Sequence, residues 1–249
     1  KHSIKEEYMT TNNLSGKNIV IIGGTAGIGL ATAVAASELG ANVWAAGRTQ
    51  AHIDKAKELS AGSFHVLQAD THNADELHAI FKEAGTIDHL VSAAIGGERT
   101  LKPFVEQTED EFKAAYGKLW GYAKVVREGV SYVKENGSIT LVSGSPARKI
   151  TPNTSALSCV GGSVENMVRC LAVELAPIRV NVVSPGTIDT AMFDHLGDEK
   201  EERLRAMTSG HLIKRGGTAG EVAEGLIFAM NNNFVTGTTV DVDGGRILS

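Results

Sequence analysis

The chain has 249 residues, with 24 basic and 29 acidic side chains and a formal net charge of −5. This length is ample for a single α/β domain with a large buried core. The slight acidic excess leaves no basic face for a nucleic acid or for an anionic membrane surface. We therefore expect no nucleic-acid partner and no membrane partner.

The sequence carries neither an apolar run of about 18 residues nor a signal-peptide pattern, which predicts a soluble, cytoplasmic protein. Its two cysteines, Cys159 and Cys170, fit reduced thiols in that compartment, and we expect both to be small buried residues of one helix. Residues 1–13 are predicted to be an N-terminal arm or a tag remnant, and residues 14–249 a single domain.

Short apolar runs alternate with amphipathic segments along the chain, as expected when parallel strands alternate with helices. Strands are predicted, in order, at KNIVIIGG, ANVWAAG, FHVLQAD, DHLVSAAIGG, SITLVSG, IRVNVVSPG and GTTVDVDGG. Helices are predicted at IGLATAVAASELG, AHIDKAKELS and ADELHAIFKEAG, from the capping box of Thr108 and Glu111 to about Val133, before Pro177, around DEKEERLRAM and at AGEVAEGLIFAM. The expected fold is α/β: a single Rossmann-type doubly wound domain of about seven parallel strands with helices on both faces.

The first predicted strand leads into a glycine loop with Gly23, Gly27 and Gly29. Gly23 permits a tight turn, Gly27 lets the backbone approach a pyrophosphate, and Gly29 lets the helix pack closely on the strand. The start of the following helix adds free N–H groups and the positive end of a dipole. Glycines also simply punctuate turns, so it is the position between a strand and a helix that indicates a dinucleotide site.

Together with LVSAAI, TLVSG, LAVELAPIRVNVVSPGTIDT and TGTTVDVDGG, this loop resembles the short-chain dehydrogenase/reductase family from about Leu14 to Gly245. The pieces NVVSPG and VDGG are the most specific to that family. The resemblance implies a seven-stranded parallel sheet and hydride transfer between a nicotinamide dinucleotide and a carbonyl or alcohol. It also implies a small-molecule substrate and a homodimer or homotetramer.

Cofactor positions follow from the resemblance one residue at a time. NAD-preferring members carry an acidic residue after the second strand for the ribose hydroxyls, whereas this chain has Gly47 and then Arg48. An arginine can pair with a 2′-phosphate, so NADP(H) is favoured over NAD(H), although a solvated surface arginine is the alternative. The positions matched to the cofactor are Gly23, Thr25, Ala26, Gly27, Ile28, Gly29, Arg48, Thr49, Asp70, Ala93, Ala94, Pro185, Gly186, Ile188 and Thr190.

The proton-transfer positions of the family are occupied by other residues. The resemblance implies a tyrosine, a lysine one helical turn later, a serine and an asparagine, because a phenol with a pKa of about 10 needs a neighbouring cation to act near neutral pH. These positions carry Leu157, Gly161, Gly144 and Lys118, and no tyrosine follows Tyr132. The sequence thus retains the nucleotide-binding half and lacks the standard proton donor.

Lys118 is the predicted substitute, because it falls on the face of the long helix that is expected to meet the site. A desolvated lysine has a lowered pKa and could act as an acid or hold the ribose. The missing side chain at Gly161 is expected to leave space for this ammonium group. An exposed lysine on an amphipathic helix is an equal alternative. Ser143 and Ser145 could each bind a substrate oxygen or only cap local backbone.

Other polar residues receive simpler interpretations. Tyr116 and Tyr122 are expected to be core or interface aromatics. His195 and His211 fall in residues 187–216, the segment that shapes the substrate pocket in the family, and we expect both to be solvent-exposed. No His, Cys and Asp spacing suggests a metal site. Two functions remain open: an NADP(H)-dependent oxidoreductase with a non-standard proton donor, and a catalytically lapsed NADP(H)-binding sensor or scaffold.

Overall fold

A computed structural model describes residues 14–97 and 99–249 and, at position 195, the backbone alone. The predicted N-terminal arm at residues 1–13 lies outside the described residues. The strands are β1 (Asn18–Ile22), β2 (Asn42–Gly47), β3 (His65–Gln68), β4 (Ile87–Ser92), β5 (Val133–Val142), β6 (Arg179–Pro185), β7 (Ile188–Asp189), β8 (Gly217–Thr218) and β9 (Thr239–Val242). The α-helices are α1 (Gly27–Glu38), α2 (Gln50–Ser60), α3 (Ala74–Ala84), α4 (Glu109–Ala115), α5 (Gly117–Gly129), α6 (Ser155–Glu174), α7 (Lys200–Thr208) and α8 (Ala219–Asn231).

One parallel sheet of seven strands organises the molecule, in the order β3-β2-β1-β4-β5-β6-β9. Strand β1 is central, with Val20 opposite Trp44 of β2 on one side and Leu90 of β4 on the other. The strand order reverses between β1 and β4, which opens a crevice beyond their carboxyl ends. The doubly wound fold predicted from the alternating pattern is confirmed, and it brings the loops after β1, β4, β5 and β6 to one edge.

Helices cover both faces of the sheet, which explains why apolar residues occupy consecutive positions in strands such as β1. Ile19 and Ile21 of β1 belong to the core beneath α1 and α8. Val20 and Ile22 belong to the core on the opposite face, beneath α3, α5 and α6. Alternate residues of one strand therefore enter two separate cores, and the position of β1 is fixed from both sides.

The long helix predicted after the capping box is broken in the structure. Thr108 and Glu111 form the predicted capping box at the start of α4, but the helix is interrupted at Tyr116 before α5 begins. The loop after β4 explains the break, because a Cβ placed on Gly97 would lie 2.7 Å from the carbonyl oxygen of Ala115. A Cβ on Gly117 would likewise lie 2.7 Å from the carbonyl oxygen of Gly96. Glycines on both segments thus let the loop press against the helix backbone.

Both cysteines differ from the sequence expectation. Cys159 and Cys170 are free thiols, and both are exposed on α6 rather than buried. The apolar positions of this helix that enter the core are Val160, Val164 and Val168, and the cysteines lie off that face. Within the described part of the chain, no helix combines the length and the apolar character that crossing a membrane requires.

Candidate functional site

A cleft of about 570 Å³ opens at the carboxyl ends of the parallel strands. Its walls come from the glycine loop (residues 23–29), from the segments after β2, β4, β5 and β6, and from the start of α6. Its volume falls in the range of about 300–1,000 Å³ that is typical of small-molecule sites. The cleft lies at the strand-order reversal, where an open α/β sheet binds its ligand.

The glycine loop is shaped by close backbone approaches. Gly23 has a φ of +85°, and a Cβ there would lie 2.4 Å from the amide nitrogen of Ala94. A Cβ on Gly29 would lie 2.0 Å from the carbonyl oxygen of Gly23, so only glycine lets α1 start directly above the turn. Ala26 precedes α1 without a side-chain cap, which leaves the first N–H groups of the helix available to an anion. This cradle fits the pyrophosphate of a dinucleotide.

Gly47 and Arg48 define the end of the cleft beyond β2. A Cβ on Gly47 would lie 1.9 Å from Oγ1 of Thr25, so the packing leaves no room for an acidic side chain there. Arg48 is 69% exposed, and its guanidinium lies 3.4 Å from a carboxylate oxygen of Asp70. The close approach of Thr25 is therefore a steric reason for the glycine at position 47.

Asp70 is held in place by its own backbone environment. The amide of His72 donates to Asp70 Oδ1 at 2.9 Å, and the amide of Asp70 donates to Glu76 at 2.7 Å. Partial burial opposes ionisation of the carboxyl, but the His72 hydrogen bond and the Arg48 ion pair together hold the pKa of Asp70 below its usual range. The carboxylate is thus charged and oriented at the Arg48 end of the cleft.

The structure brings nearly all the predicted cofactor residues to one cleft. Gly29 is the exception, since it lies beneath the loop and supports it. The predicted residues that line the cleft are Gly23, Thr25, Ala26, Gly27, Ile28, Arg48, Thr49, Asp70, Ala93, Ala94, Pro185, Gly186, Ile188 and Thr190. Their side chains and backbone atoms extend from the Arg48 end, past the glycine loop, to the segment between β6 and β7.

Leu157 and Gly161 occupy different environments, although they lie one turn apart on α6. Leu157 lines the cleft, whereas Gly161 is buried outside it. A Cβ on Gly161 would lie 2.9 Å from Cβ of Ala147, because the turn after β5 packs tightly on the helix. The expectation that Gly161 opens space for the Lys118 ammonium group is therefore wrong: Ala147 occupies that space.

Lys118 lines the cleft from α5, as its position on the helix predicts. Its Nζ donates to the carbonyl oxygen of Ser143 at 3.1 Å and lies 5.5 Å from the ring centroid of Tyr122. Desolvation, with a smaller contribution from the positive charge of Arg99, lowers the pKa of Lys118 to about 8. A lysine with this pKa exchanges its proton in the physiological range.

The two candidate serines are engaged by other side chains. Ser143 donates its hydroxyl proton to Glu165 at 3.0 Å, and Ser145 is fully buried and accepts from Arg246 at 2.9 Å. Ser145 therefore has no surface toward a substrate, and a role in binding a substrate oxygen stays a prediction for Ser143 alone. Tyr122 is a core residue, as predicted: it donates to the carbonyl oxygen of Val142, and burial raises its pKa.

Sequence reasoning missed a buried ion pair behind the cleft. Glu165 of α6 is 3% exposed and pairs with Arg148, whose guanidinium also reaches Asp241 of β9. Hydrogen bonding to Asp241 raises the pKa of Arg148, and the pair fixes the turn after β5 to two distant elements. A glutamate among the core valines of α6 was the only sequence signal for this contact.

Arg99 and Arg246 also line the cleft and were not predicted. Arg99 follows β4 in a glycine-rich loop, and Arg246 follows the last strand, so neither stands within a matched motif. His211 is a further correction, since it is 5% exposed rather than solvated, and burial lowers its pKa. The side chain of His195 lies outside the described part of the structure, which contains no group of three or more potential metal-ligating His, Cys, Asp or Glu residues.

Comparisons with known proteins match nearly the whole length of the chain. A family model described as enoyl-(acyl carrier protein) reductase matches residues 23–246. The short-chain dehydrogenase/reductase malC of Malbranchea aurantiaca is 32% identical, over 94% of this chain and 96% of that protein. The short-chain dehydrogenase/reductase ucsE of an Acremonium species is 29% identical, over 96% of this chain and 98% of that protein.

Solved structures give the same picture. The structure of MalC reductase/Diels-Alderase from Malbranchea aurantiaca superposes with a TM-score of 0.87 at 30% identity, covering 95% of this chain and 98% of that one. A small-chain dehydrogenase in complex with NADPH superposes with a TM-score of 0.80 at 29% identity, covering 94% and 100%. The likeness thus extends over the sheet, the glycine loop and the cleft together.

Proposed function

Because the chain belongs to the short-chain dehydrogenase/reductase family, whose members are oxidoreductases with a nicotinamide cofactor, we propose that it transfers a hydride between NADP(H) and a carbonyl or alcohol substrate. Lys118 is the proton donor in this proposal, in place of the tyrosine that would stand at Leu157. The observation that carries it is the Lys118 ammonium group in the cleft, with a pKa of about 8.

NADP(H) is proposed over NAD(H) because of the chemistry at the end of β2. Gly47 leaves no space for the acid that would hold ribose hydroxyls, and Arg48 offers an exposed guanidinium to a 2′-phosphate. A related structure described as a complex with NADPH agrees with this preference. Arg48 would form a charge-assisted pair with the phosphate, while the carboxylate of Asp70 holds the guanidinium of Arg48 from the other side.

In this proposal, the cofactor supplies the hydride and the protein supplies the proton. When bound, NADPH supplies the hydride for the carbonyl carbon and is oxidised to NADP⁺. Lys118 donates a proton from Nζ to the carbonyl oxygen, which becomes a hydroxyl group, and the neutral amine then takes a proton from water. The carbonyl oxygen of Ser143 holds Nζ at 3.1 Å and so keeps the donor in the cleft.

The test combines binding with turnover in three proteins: wild type, Lys118→Ala and the control Lys113→Ala, an exposed lysine of α4 paired with Glu109. NADPH and NADH are titrated by fluorescence, and NADPH oxidation is then followed with a panel of aldehydes, ketones and quinones. We expect Lys118→Ala to lower kcat by about 10²–10⁴-fold while NADPH still binds. A loss of NADPH binding in Lys118→Ala would instead make Lys118 a ribose anchor.

Tight NADPH binding by the wild type, without turnover of any substrate, would support the alternative function of a cofactor-binding sensor or scaffold. No NADPH binding at all would refute both functions. The segment from the end of β6 to the start of β7, where Pro185, Gly186 and Ile188 line the cleft, favours the oxidoreductase, because a sensor would need only the adenosine end.

We further propose that the protein acts in the cytoplasm as a homodimer or homotetramer, with residues 187–216 shaping the substrate pocket. Exposed apolar side chains support association, since Trp120 of α5 is 65% exposed and Val173 of α6 is 80% exposed. Light scattering of the purified protein measures the oligomeric state, and a monomer at micromolar concentration would contradict this proposal.

A further inference from the structure

The substrate end of the cleft is lined by three cationic side chains. Arg99 extends from the loop after β4, Lys118 from α5, and Arg246 from the turn after β9. We call these residues the cation cluster. They lie at the opposite end of the cleft from Arg48, and Asp70, beside Arg48, is the one acidic residue among the described lining residues.

No ion pair among the described residues satisfies the cation cluster. Lys118 donates to the carbonyl oxygen of Ser143, Arg246 to the hydroxyl of Ser145, and Arg99 to the sulfur of Met192. All three acceptors are neutral. In residues 14–97 and 99–249, Asp70 pairs with Arg48, and Glu165 and Asp241 pair with Arg148, whereas no ion pair includes a member of the cation cluster.

Asp243 is the carboxylate whose negative charge acts on Arg246, but its oxygens accept hydrogen bonds from backbone groups. Its Oδ1 accepts from the amide of Gly245 and its Oδ2 from the amide of Ile247, each at 2.9 Å. This carboxylate shapes the turn that presents Arg246 to the cleft. Within the described part of the chain, no carboxylate forms an ion pair with this guanidinium.

The three charges also act on one another. Desolvation lowers the pKa of Arg99, of Lys118 and of Arg246, and the charge of Arg99 lowers the other two further. Like charges held together away from water raise the free energy of the unliganded cleft. An anion entering between them would relieve that repulsion.

The rest of this end of the cleft is apolar. Leu157 stands where the tyrosine of related enzymes would present a hydroxyl, and the surrounding side chains add hydrocarbon surface. The apolar residues that line this end are Ile95, Leu157, Val160, Met192, Phe193 and Met207. A ligand that matches the site therefore needs an apolar body as well as a negative group.

We propose that the substrate is an apolar oxo acid, whose carboxylate binds between Arg99 and Arg246 and whose carbonyl oxygen faces Lys118. This inference rests on the proposed hydride transfer and names its substrate class. The two arginines keep their charge at any working pH and can each hold a carboxylate with two parallel hydrogen bonds, whereas Lys118 can release a proton. Binding and proton delivery thus fall to different cations of the same cluster.

The test uses 4-oxo-4-phenylbutanoate and its methyl ester, which share the apolar body and the ketone and differ in one methyl group and in the negative charge. Calorimetry measures the binding of each to the protein saturated with NADP⁺, where no reduction occurs. We expect the acid to bind at least about tenfold more tightly than the ester. Arg99→Gln and Arg246→Gln should each raise the dissociation constant of the acid by about tenfold or more and leave that of the ester unchanged. The exposed Arg127→Gln, as the control, should leave both dissociation constants unchanged.

Two further measurements keep the inference separate from the proposed function. If Arg99→Gln and Arg246→Gln weaken the binding of NADPH as much as the binding of the acid, the cation cluster holds the cofactor and the inference is overturned. If the wild type fails to bind NADPH, the proposed hydride transfer fails, and the acid-to-ester ratio on the cofactor-free protein still tests the cluster. Arg99→Lys, which keeps the charge, should retain part of the acid preference, and equal binding of acid and ester by the wild type overturns the inference.

Discussion

The two ends of the cleft differ in how their chemistry is built. At the glycine loop, recognition is built from backbone, and contacts such as that of Gly23 with Ala94 admit no larger residue. At the other end, the cleft is shaped by side chains, where Leu157 of α6 presents hydrocarbon and Lys118 of α5 presents a charged group. The chemistry of this end can therefore vary while the backbone frame beside it stays intact, because the two are specified by different atoms.

The largest expected effect comes from a substitution in the glycine loop, the part of the cleft that is built from backbone. Gly23→Ala places a Cβ 2.4 Å from the amide nitrogen of Ala94 at a φ of +85°, so the loop must move. Strain of this kind should raise the NADPH dissociation constant by about a hundredfold. The matched change at the other end, Leu157→Ala, removes side-chain atoms only and should leave NADPH affinity within about twofold. Fluorescence titration measures both, and equal losses would erase the distinction between the two ends.

The next effect is the pH dependence that Lys118 should give at the end of the cleft that is built from side chains. Carbonyl reduction needs the protonated form of Lys118, whose pKa lies at about 8, so kcat/KM for reduction should fall about tenfold per pH unit above that value. Alcohol oxidation needs the neutral amine, so its kcat/KM should rise about tenfold per pH unit below that value and level off above it. Initial rates between pH 6 and about 10 in both directions provide the check. Parallel profiles in the two directions would remove Lys118 from the proton path.

A smaller effect separates the two nicotinamide cofactors at the adenosine end. Arg48→Ala should raise the dissociation constant of NADPH by about tenfold and change that of NADH by less than about twofold, because only NADPH carries the 2′-phosphate. Losing the exposed Arg48–Asp70 pair should itself have little influence on stability. Arg127→Ala, an exposed arginine outside the cleft, is the control, and equal shifts for both cofactors would reject the phosphate role.

The smallest effect compares two adjacent glycines of α6. Gly162 has open space where a Cβ would stand, so Gly162→Ala should stabilise the protein by up to about 1 kcal/mol through better helix propensity. Gly161→Ala meets Ala147 at 2.9 Å and should instead destabilise by about 1 kcal/mol or more. Urea denaturation of the two variants measures the difference, and stabilisation by both would mean that the contact with Ala147 is loose.

The sequence was sufficient for the main sheet and for the glycine loop. Apolar runs located its seven strands, because a strand covered on both faces, such as β1, carries apolar residues at consecutive positions. The two-residue strands β7 and β8 carry too short a pattern to be predicted. Gly23 and Gly29 could be assigned roles because their spacing reflects local geometry. Lys118 could be placed because the resemblance puts it at the position where the family carries an asparagine on the long helix.

The rest required tertiary structure. Arg99 and Arg246 meet in the cleft although one follows β4 and the other follows the last strand, and no local pattern links them. The break between α4 and α5 depends on a loop from another part of the chain, so the capping box predicted the start of the helix but not its interruption. The contact of Gly161 with Ala147 reverses a simple inference from side-chain size, because a missing side chain can be replaced by a neighbour.

That last contact also bears on which side chains could be introduced at this turn of α6. A lysine at Gly161 would bring its Cβ to 2.9 Å from Cβ of Ala147, so the turn after β5 would have to shift before the side chain fits. Ala147→Gly would remove the methyl group that stands in the way. The packing of one methyl group thus limits the size of the residue that this turn of the helix accepts.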